Sequence, residues 1–245
     1  FCHRRRIIGC FDQLVFDVFI ITLRAFLSSD VHMSDLHIYA FGHALVDEEY
    51  SISETLLQTL GIAKNHRTLI DHQRCQTLRK RASNEGTLNS QSGGGSGANT
   101  LATAALMGAN CHFSCLLGSD PEGEFYKSQL LESGIQTDAQ SMRTGGHTGV
   151  CVVLLTPDAA RTMNTYVGIT DFIGPKDLNF DALREADWVY IEGHILIAES
   201  GFLAALNARD EARRGGSGSP ARRGRPESAR SELVARTRRD REDLG

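Results

Sequence analysis

Residues 91–109 read QSGGGSGANTLATAALMGA, with four glycines in the five positions 93–97 and small or apolar residues immediately after. Glycine admits positive φ and lets another group touch the main chain. From Ala98 to Met107, Leu101, Ala104, Ala105 and Gly108 fall on one helical face, which predicts a helix. A glycine loop ahead of a helix presents unpaired N–H groups at the positive end of the helix dipole. That arrangement suits a phosphate, and it also suits a ligand rich in hydroxyls. A flexible Gly/Ser linker is the plain alternative, but the loop is short and runs straight into a patterned helix.

Two phosphate-binding patterns fail here. G-x-x-x-x-G-K-[ST] fails because no lysine lies between Lys80 and Lys127, and G-x-G-x-x-G fails across 93–100. What stands there is Gly94-Gly95-Ser96-Gly97-Ala98-Asn99. Asn99, near the first helical turn, offers one acceptor and two donors, a set suited to gripping neighbouring hydroxyls.

Outward from this stretch the chain alternates in character. HIYAFG (37–42) reads as a strand ending at Gly42. SISETLLQTLG (51–61) reads as a helix capped by Ser51 or Ser53 and stopped by Gly61. CHFSCLLG (111–118) reads as one buried strand, and EGEFYKSQLLESG (122–134) as an amphipathic helix stopped by Gly134. TGVCVVLLTPDAARTMNTYVG (148–168) gives two β runs about a Thr-Pro-Asp turn. DALREADWVYIEG (181–193) gives a helix followed by a strand. Strands separated by helices predict an α/β fold with a mostly parallel sheet, whose ligands bind beyond the carboxyl ends of the strands.

The chain of 245 residues is 41% hydrophobic and carries a net charge of −4, which argues against a nucleic-acid binder as a whole. The charge is uneven: residues 207–245 hold 11 Arg and 7 acids, leaving −8 on the rest. Residues 206–245, rich in Arg, Gly, Ser and Ala, have too little aliphatic content for a core and read as a disordered tail. That composition matches a frameshift product; a basic arm for nucleic acid on a sugar-binding module is the rival reading. Residues 1–32 read as an extension outside the fold, since Asp12, Asp17 and Arg24 interrupt their apolar run. No membrane partner is expected. Six scattered cysteines without a C-x-x-C pair suggest reduced thiols and a cytoplasmic location. Cys111 and Cys115 read as buried structural residues rather than metal ligands.

Several polar residues fall near the ends of the expected strands. Asp47, just past the first strand, can accept two hydroxyl hydrogen bonds or stand as a solvated loop acid. Glu192 ends a strand that reads as buried, as a structural acceptor or a substrate contact. Asp120 and Asp158 fit turns. Arg161 can face an anion or pair with a nearby acid. His43 and His194 read as surface or structural residues.

In this order these stretches resemble the PfkB (ribokinase-like) family of carbohydrate and nucleoside kinases, nearest its bacterial adenosine-kinase-like branch. FGHALVDEEYSIS, GGSGANTLATAALMG, GSDPEGEFY, TGVCVVLLTPDAARTMNTYVG and WVYIEGHIL carry the resemblance over about 38–200. It implies a ribokinase-like sandwich at 33–205 with a small β lid, incomplete at the C-terminus. It implies ATP-dependent phosphorylation of a primary hydroxyl of a nucleoside or sugar, helped by Mg²⁺. Asp47 and Asn99 match positions that grip sugar hydroxyls, Gly94 and Gly95 match the lid hinge, and Glu192 joins them as a substrate-binding candidate. His43 replaces the usual Asn and His194 the usual Tyr of that branch. The family's Gly-Ala-Gly-Asp loop, which supplies its catalytic base and phosphate cradle, is absent from the sequence. No catalytic residue is therefore nominated, and this chain alone is expected to be inactive.

Overall fold

The computed structural model describes residues 35–138 and 141–215. The extension at 1–32 and the tail beyond Gly215 lie outside them.

Strand β1 (Ile38–Phe41) alternates its side chains between two cores. Tyr39 and Phe41 enter one and Ala40 the other, all fully buried. Next come β2 (Leu45–Ser51), α1 (Glu54–Thr59), β3 (Arg67–Leu69), α2 (His72–Glu85) and β4 (Thr87–Gly94). The glycine stretch leads into α3 (Ser96–Leu106), then β5 (Cys111–Ser114), β6 (Leu117–Gly118), α4 (Pro121–Glu132), β7 (Ile135–Thr137) and β8 (Met142–Arg143). The hairpin β9 (Gly149–Leu155) and β10 (Arg161–Tyr166) follows, then α5 (Phe180–Glu185), β11 (Trp188–Ile191) and α6 (Glu199–Gly215).

The central sheet has the order β11-β1-β5-β7, parallel throughout. Leu101 and Ala104 of α3 and Tyr126 and Leu130 of α4 pack on the side of Ala40 and Phe113. Leu183 of α5 and Ala204 and Ala208 of α6 pack on the side of Tyr39 and Phe41. Each fully buried Leu or Phe contributes about 1.5–3 kcal/mol. A second sheet has the order β3-β10-β9-β2-β4. Helix α2 covers one of its faces through Cys75, Leu78 and Ala82, within the same apolar cluster as the central sheet. Hence the two sheets share one core.

Three expectations need correction. The stretch 111–118 is two strands in different sheets, because the chain turns at Cys115–Leu116 and pairs Leu117 with Met142. Asp47 lies inside strand β2 rather than in a loop beyond β1. The boundary expected at 205/206 falls inside α6, which runs on to Gly215. Ala204 and Ala208, one helical turn apart, are fully buried, and Ala212 continues the row. Small residues that looked like tail composition are the packed face of a helix.

Candidate functional site

The site is built where the second sheet passes over the carboxyl end of the central one. On β2 the side chains alternate: Val46, Glu48 and Tyr50 are buried, while Asp47 faces the other way, half-buried. Asp47 stands beside Ser92 of β4 and Cys151 of β9. Among the described residues its carboxylate accepts no hydrogen bond. Burial raises its pKa, and the Arg161 charge offsets this only partly. The neighbouring Cys151 thiol, hydrogen-bonded to Thr165 Oγ1 at 3.4 Å, is also pushed up by burial.

The glycines explain themselves by what touches them. A Cβ on Gly94 would lie 2.3 Å from Asp47 Oδ2. Gly95 caps α3 at φ +98°, a region that side chains rarely adopt, and a Cβ there would lie 2.3 Å from the His43 carbonyl oxygen. Tyr126 Oη donates to the Gly94 carbonyl at 2.8 Å, pinning the end of β4 to α4. The close approach that the sequence demanded is made in the structure by the chain's own groups.

Glu192, just past β11, is 3% exposed. Its Oε2 accepts from the backbone amides of His43 and Gly97, each at 3.2 Å. The carboxylate thus ties the β1–β2 turn to the first turn of α3, where the helix dipole favours a negative charge. Of its two expected roles, structural acceptor is the one its bonds perform. Asn99 is exposed one turn into α3, its backbone amide bonded to Gly95 O and its side chain without a hydrogen bond among the described residues. Asp47, Gly94, Gly95 and Glu192 are therefore brought together, with Asn99 beside them on α3.

His43 is buried rather than on the surface, with Nε2 lacking a hydrogen bond and standing 3.8 Å from Asp171 Oδ1. Burial lowers its pKa against the pull of Glu192 and Asp171. His194 Nε2 lies 3.1 Å from Arg67 Nη1, and its Nδ1 3.7 Å from Glu192 Oε1.

The remaining candidates lie outside this cluster. Asp120 caps α4 and accepts from Gly123 N, Thr148 N and Thr148 Oγ1 at 2.9, 2.8 and 2.6 Å. Burial works against its charge, but those bonds and His147 together lower its pKa. Asp158 is held down to about 2 by Lys64 and Thr156 and shapes the β9–β10 turn. Arg161 approaches Glu49 Oε2 at 3.7 Å. Cys111 and Cys115 are buried free thiols, and no group of three metal-ligating side chains occurs among the described residues. An opening of about 760 Å³ lies between the turn around Gly145 and the segment bearing Phe172, and none of the five candidate residues lines it. Among the described residues no helix is long and apolar enough to cross a membrane.

Arg67 and Tyr126 were not anticipated. Arg67 sits in a short polar stretch, and Tyr126 reads as an ordinary helix position, so neither left a local signal.

Similar proteins agree with this architecture. The chain is 27% identical over 101 residues to an ATP-dependent ribose-1-phosphate kinase from Halopiger xanaduensis, covering 41% of this chain and 34% of that protein. It is 28% identical over 99 residues to the aminoimidazole riboside kinase of Salmonella typhimurium, covering 40% and 30%. The solved adenosine kinase of Sinorhizobium meliloti superposes with a TM-score of 0.66 at 26% identity, covering 75% of this chain and 55% of that one. The chain therefore spans about a third of the length of these curated relatives and about half of the solved one. The model of the pfkB family carbohydrate kinases matches residues 56–217, well over half of the sequence, and the chain belongs to that family.

Proposed function

We propose that residues 35–215 form the acceptor-binding half of an ATP-dependent kinase that phosphorylates a primary hydroxyl of a sugar or nucleoside. The observation that carries this is Asp47. It is a half-buried carboxylate without a hydrogen bond among the described residues, held against Gly94 on the face of the second sheet opposite buried Val46 and Glu48, the face we take to line the ligand cleft. An acid so placed is an acceptor waiting for two hydroxyl donors. The named relatives act on ribose 1-phosphate, an aminoimidazole riboside and adenosine, and a ribofuranose is common to all three.

Asn99 supplies both donor and acceptor from α3. Gly94 and Gly95 fix the junction about which the second sheet closes as a lid. Closure excludes water, the competing phosphoryl acceptor. Glu192 orients the two loops beneath the ligand. ATP supplies the phosphoryl group and Mg²⁺ its charge neutralisation in such a reaction. The residues in hand do not fit either group: the Gly-Ala-Gly-Asp loop is absent, and no metal-ligating cluster occurs among the described residues. This chain on its own is expected to bind the acceptor without turning it over.

Calorimetric titration with adenosine and with D-ribose tests the reading. Saturable binding to at least one, lost in Asp47→Ala, supports it. Binding that survives Asp47→Ala refutes the role given to this residue. Production of ADP from ATP in the presence of either acceptor refutes the expected inactivity.

A further inference from the structure

We propose that the ligand of this cleft carries an anionic group, a phosphate or carboxylate, at the end remote from Asp47, and that Arg67, held in place by His194, receives it. This rests on the cleft being a sugar or nucleoside site, and it narrows the substrate class to an acidic pentose derivative.

Sheet register puts Arg67 on the cleft face. Arg67 pairs with Met163, Met163 with Val153, and Val153 with Glu49. Paired residues of neighbouring strands share a face, and Glu49 shares one with Asp47 two residues earlier. Strands β2 and β3 are separated by β9 and β10. Three strand spacings set their backbones about 14 Å apart. The Asp47 and Arg67 side chains stand on the same face of that sheet, so a ligand lying across β9 and β10 can touch both.

The contact between Arg67 and His194 fixes the chemistry of the far end. Arginine only donates, so His194 accepts at Nε2 and keeps its proton on Nδ1, the atom 3.7 Å from Glu192 Oε1. Arg67 has no carboxylate partner among the described residues, whereas Arg79, Arg143 and Arg184 each have one. Among the described residues its Nε and Nη2 make no hydrogen bond. The nearby acids are otherwise engaged: Glu192 Oε2 is bound by two backbone amides, and Asp171 Oδ1 faces His43 Nε2. A planar guanidinium with free donors, steadied by an imidazole, can fork onto two oxygens of a phosphate or carboxylate. Leu69, on the same face and 67% exposed, marks the competing outcome, a neutral base resting on an apolar side chain.

The test is calorimetric titration of the full chain with D-ribose, ribose 1-phosphate and adenosine. Charge-assisted bonds predict that ribose 1-phosphate binds about tenfold or more tightly than ribose. In Arg67→Ala the ratio of these two affinities falls to about one. In His194→Phe the ratio drops several-fold, and in His194→Gln, which keeps an acceptor for Arg67, it recovers. Thermal unfolding of each variant shows whether it is folded, and a ratio measured on one protein is insensitive to its active fraction. Adenosine binding more tightly than ribose 1-phosphate overturns the proposal, as does a ratio unchanged by Arg67→Ala. Ribose or adenosine binding with no gain from phosphate refutes the anionic end alone. Failure of all three probes to bind refutes the cleft reading and this proposal with it.

Discussion

Asp47 and Glu48 are neighbours on one strand and face opposite ways. Glu48 is 2% exposed and fully engaged. It accepts from Arg79 Nε and Nη2 at 2.9 and 2.7 Å, from Gln91 at 3.1 Å and from Tyr50 Oη at 3.0 Å. Asp47 has no such partner among the described residues, and its burial works against its charge. A carboxylate that a fold requires is surrounded by donors, because a buried charge without them is costly. One left without donors while half out of water is a candidate for an outside partner. The two residue types are the same in chemistry; the bonds around them separate structure from function.

The largest expected effect lies on the Glu48 side. Arg79 also donates to Glu122 of α4 at 2.7 Å, so it joins the second sheet to a helix of the central layer. Arg79→Met leaves Glu48 buried with its main partner gone and is expected to cost about 3 kcal/mol in urea unfolding. Loss of less than about 1 kcal/mol would show that Glu48 is not the structural member of the pair. Gly95→Ala should come next, at about 2–3 kcal/mol by the same measurement. It forces a side chain into φ +98° and against the His43 carbonyl. A stable Gly95→Ala protein would mean that the backbone at this junction is free to shift.

The contrast between the two acids was hidden in the sequence for a physical reason. Asp47, Glu48 and Glu49 are three acids in a row, so β2 shows no apolar alternation, and Glu48 points inward only because Arg79, 31 residues away, neutralises it. Strand β4 is exposed over nearly its whole length and is equally silent. Caps were legible: Ser53 accepts from Leu56 N at the start of α1, and Gly134 takes φ +73° after α4. So were β1, β5 and β11 of the central sheet, whereas β7, with only Ile-Gln-Thr, left no strand signal. In the candidate site, the crowding at the glycines could be read from the chain, whereas Asp47 was read into a loop and stands inside β2. The ties of Glu192 to His43 and Gly97 could not, since they join residues 149 and 95 apart.

Asp120 sharpens the comparison from a third position, as a helix-capping acid that is satisfied. Its folded pKa lies below its unfolded one. Its stabilisation is therefore present above the unfolded value and lost as pH falls through the folded one. Asp120→Ala removes the α4 cap and the Thr148 bonds and should cost about 1–2 kcal/mol at neutral pH, with the deficit shrinking in acid. Ligand affinity measured in the same variant should be unchanged, and a loss would move Asp120 from scaffold to site.

Asp47→Asn gives the smallest effect on stability and the one with the opposite sign. The folded pKa of Asp47 is raised, so the folded chain holds this proton longer than the unfolded chain does. The penalty for the charge is present above the folded pKa and disappears below the unfolded one, where both states are protonated. Removing the charge while keeping the shape should therefore raise Tm slightly at neutral pH. That gain should fade as pH falls through the folded pKa, while ligand binding is lost at every pH. An Arg79→Met protein does the reverse, losing stability before affinity. If Asp47→Asn lowers Tm at neutral pH, the carboxylate is serving the fold after all, and the distinction between the two neighbouring acids collapses.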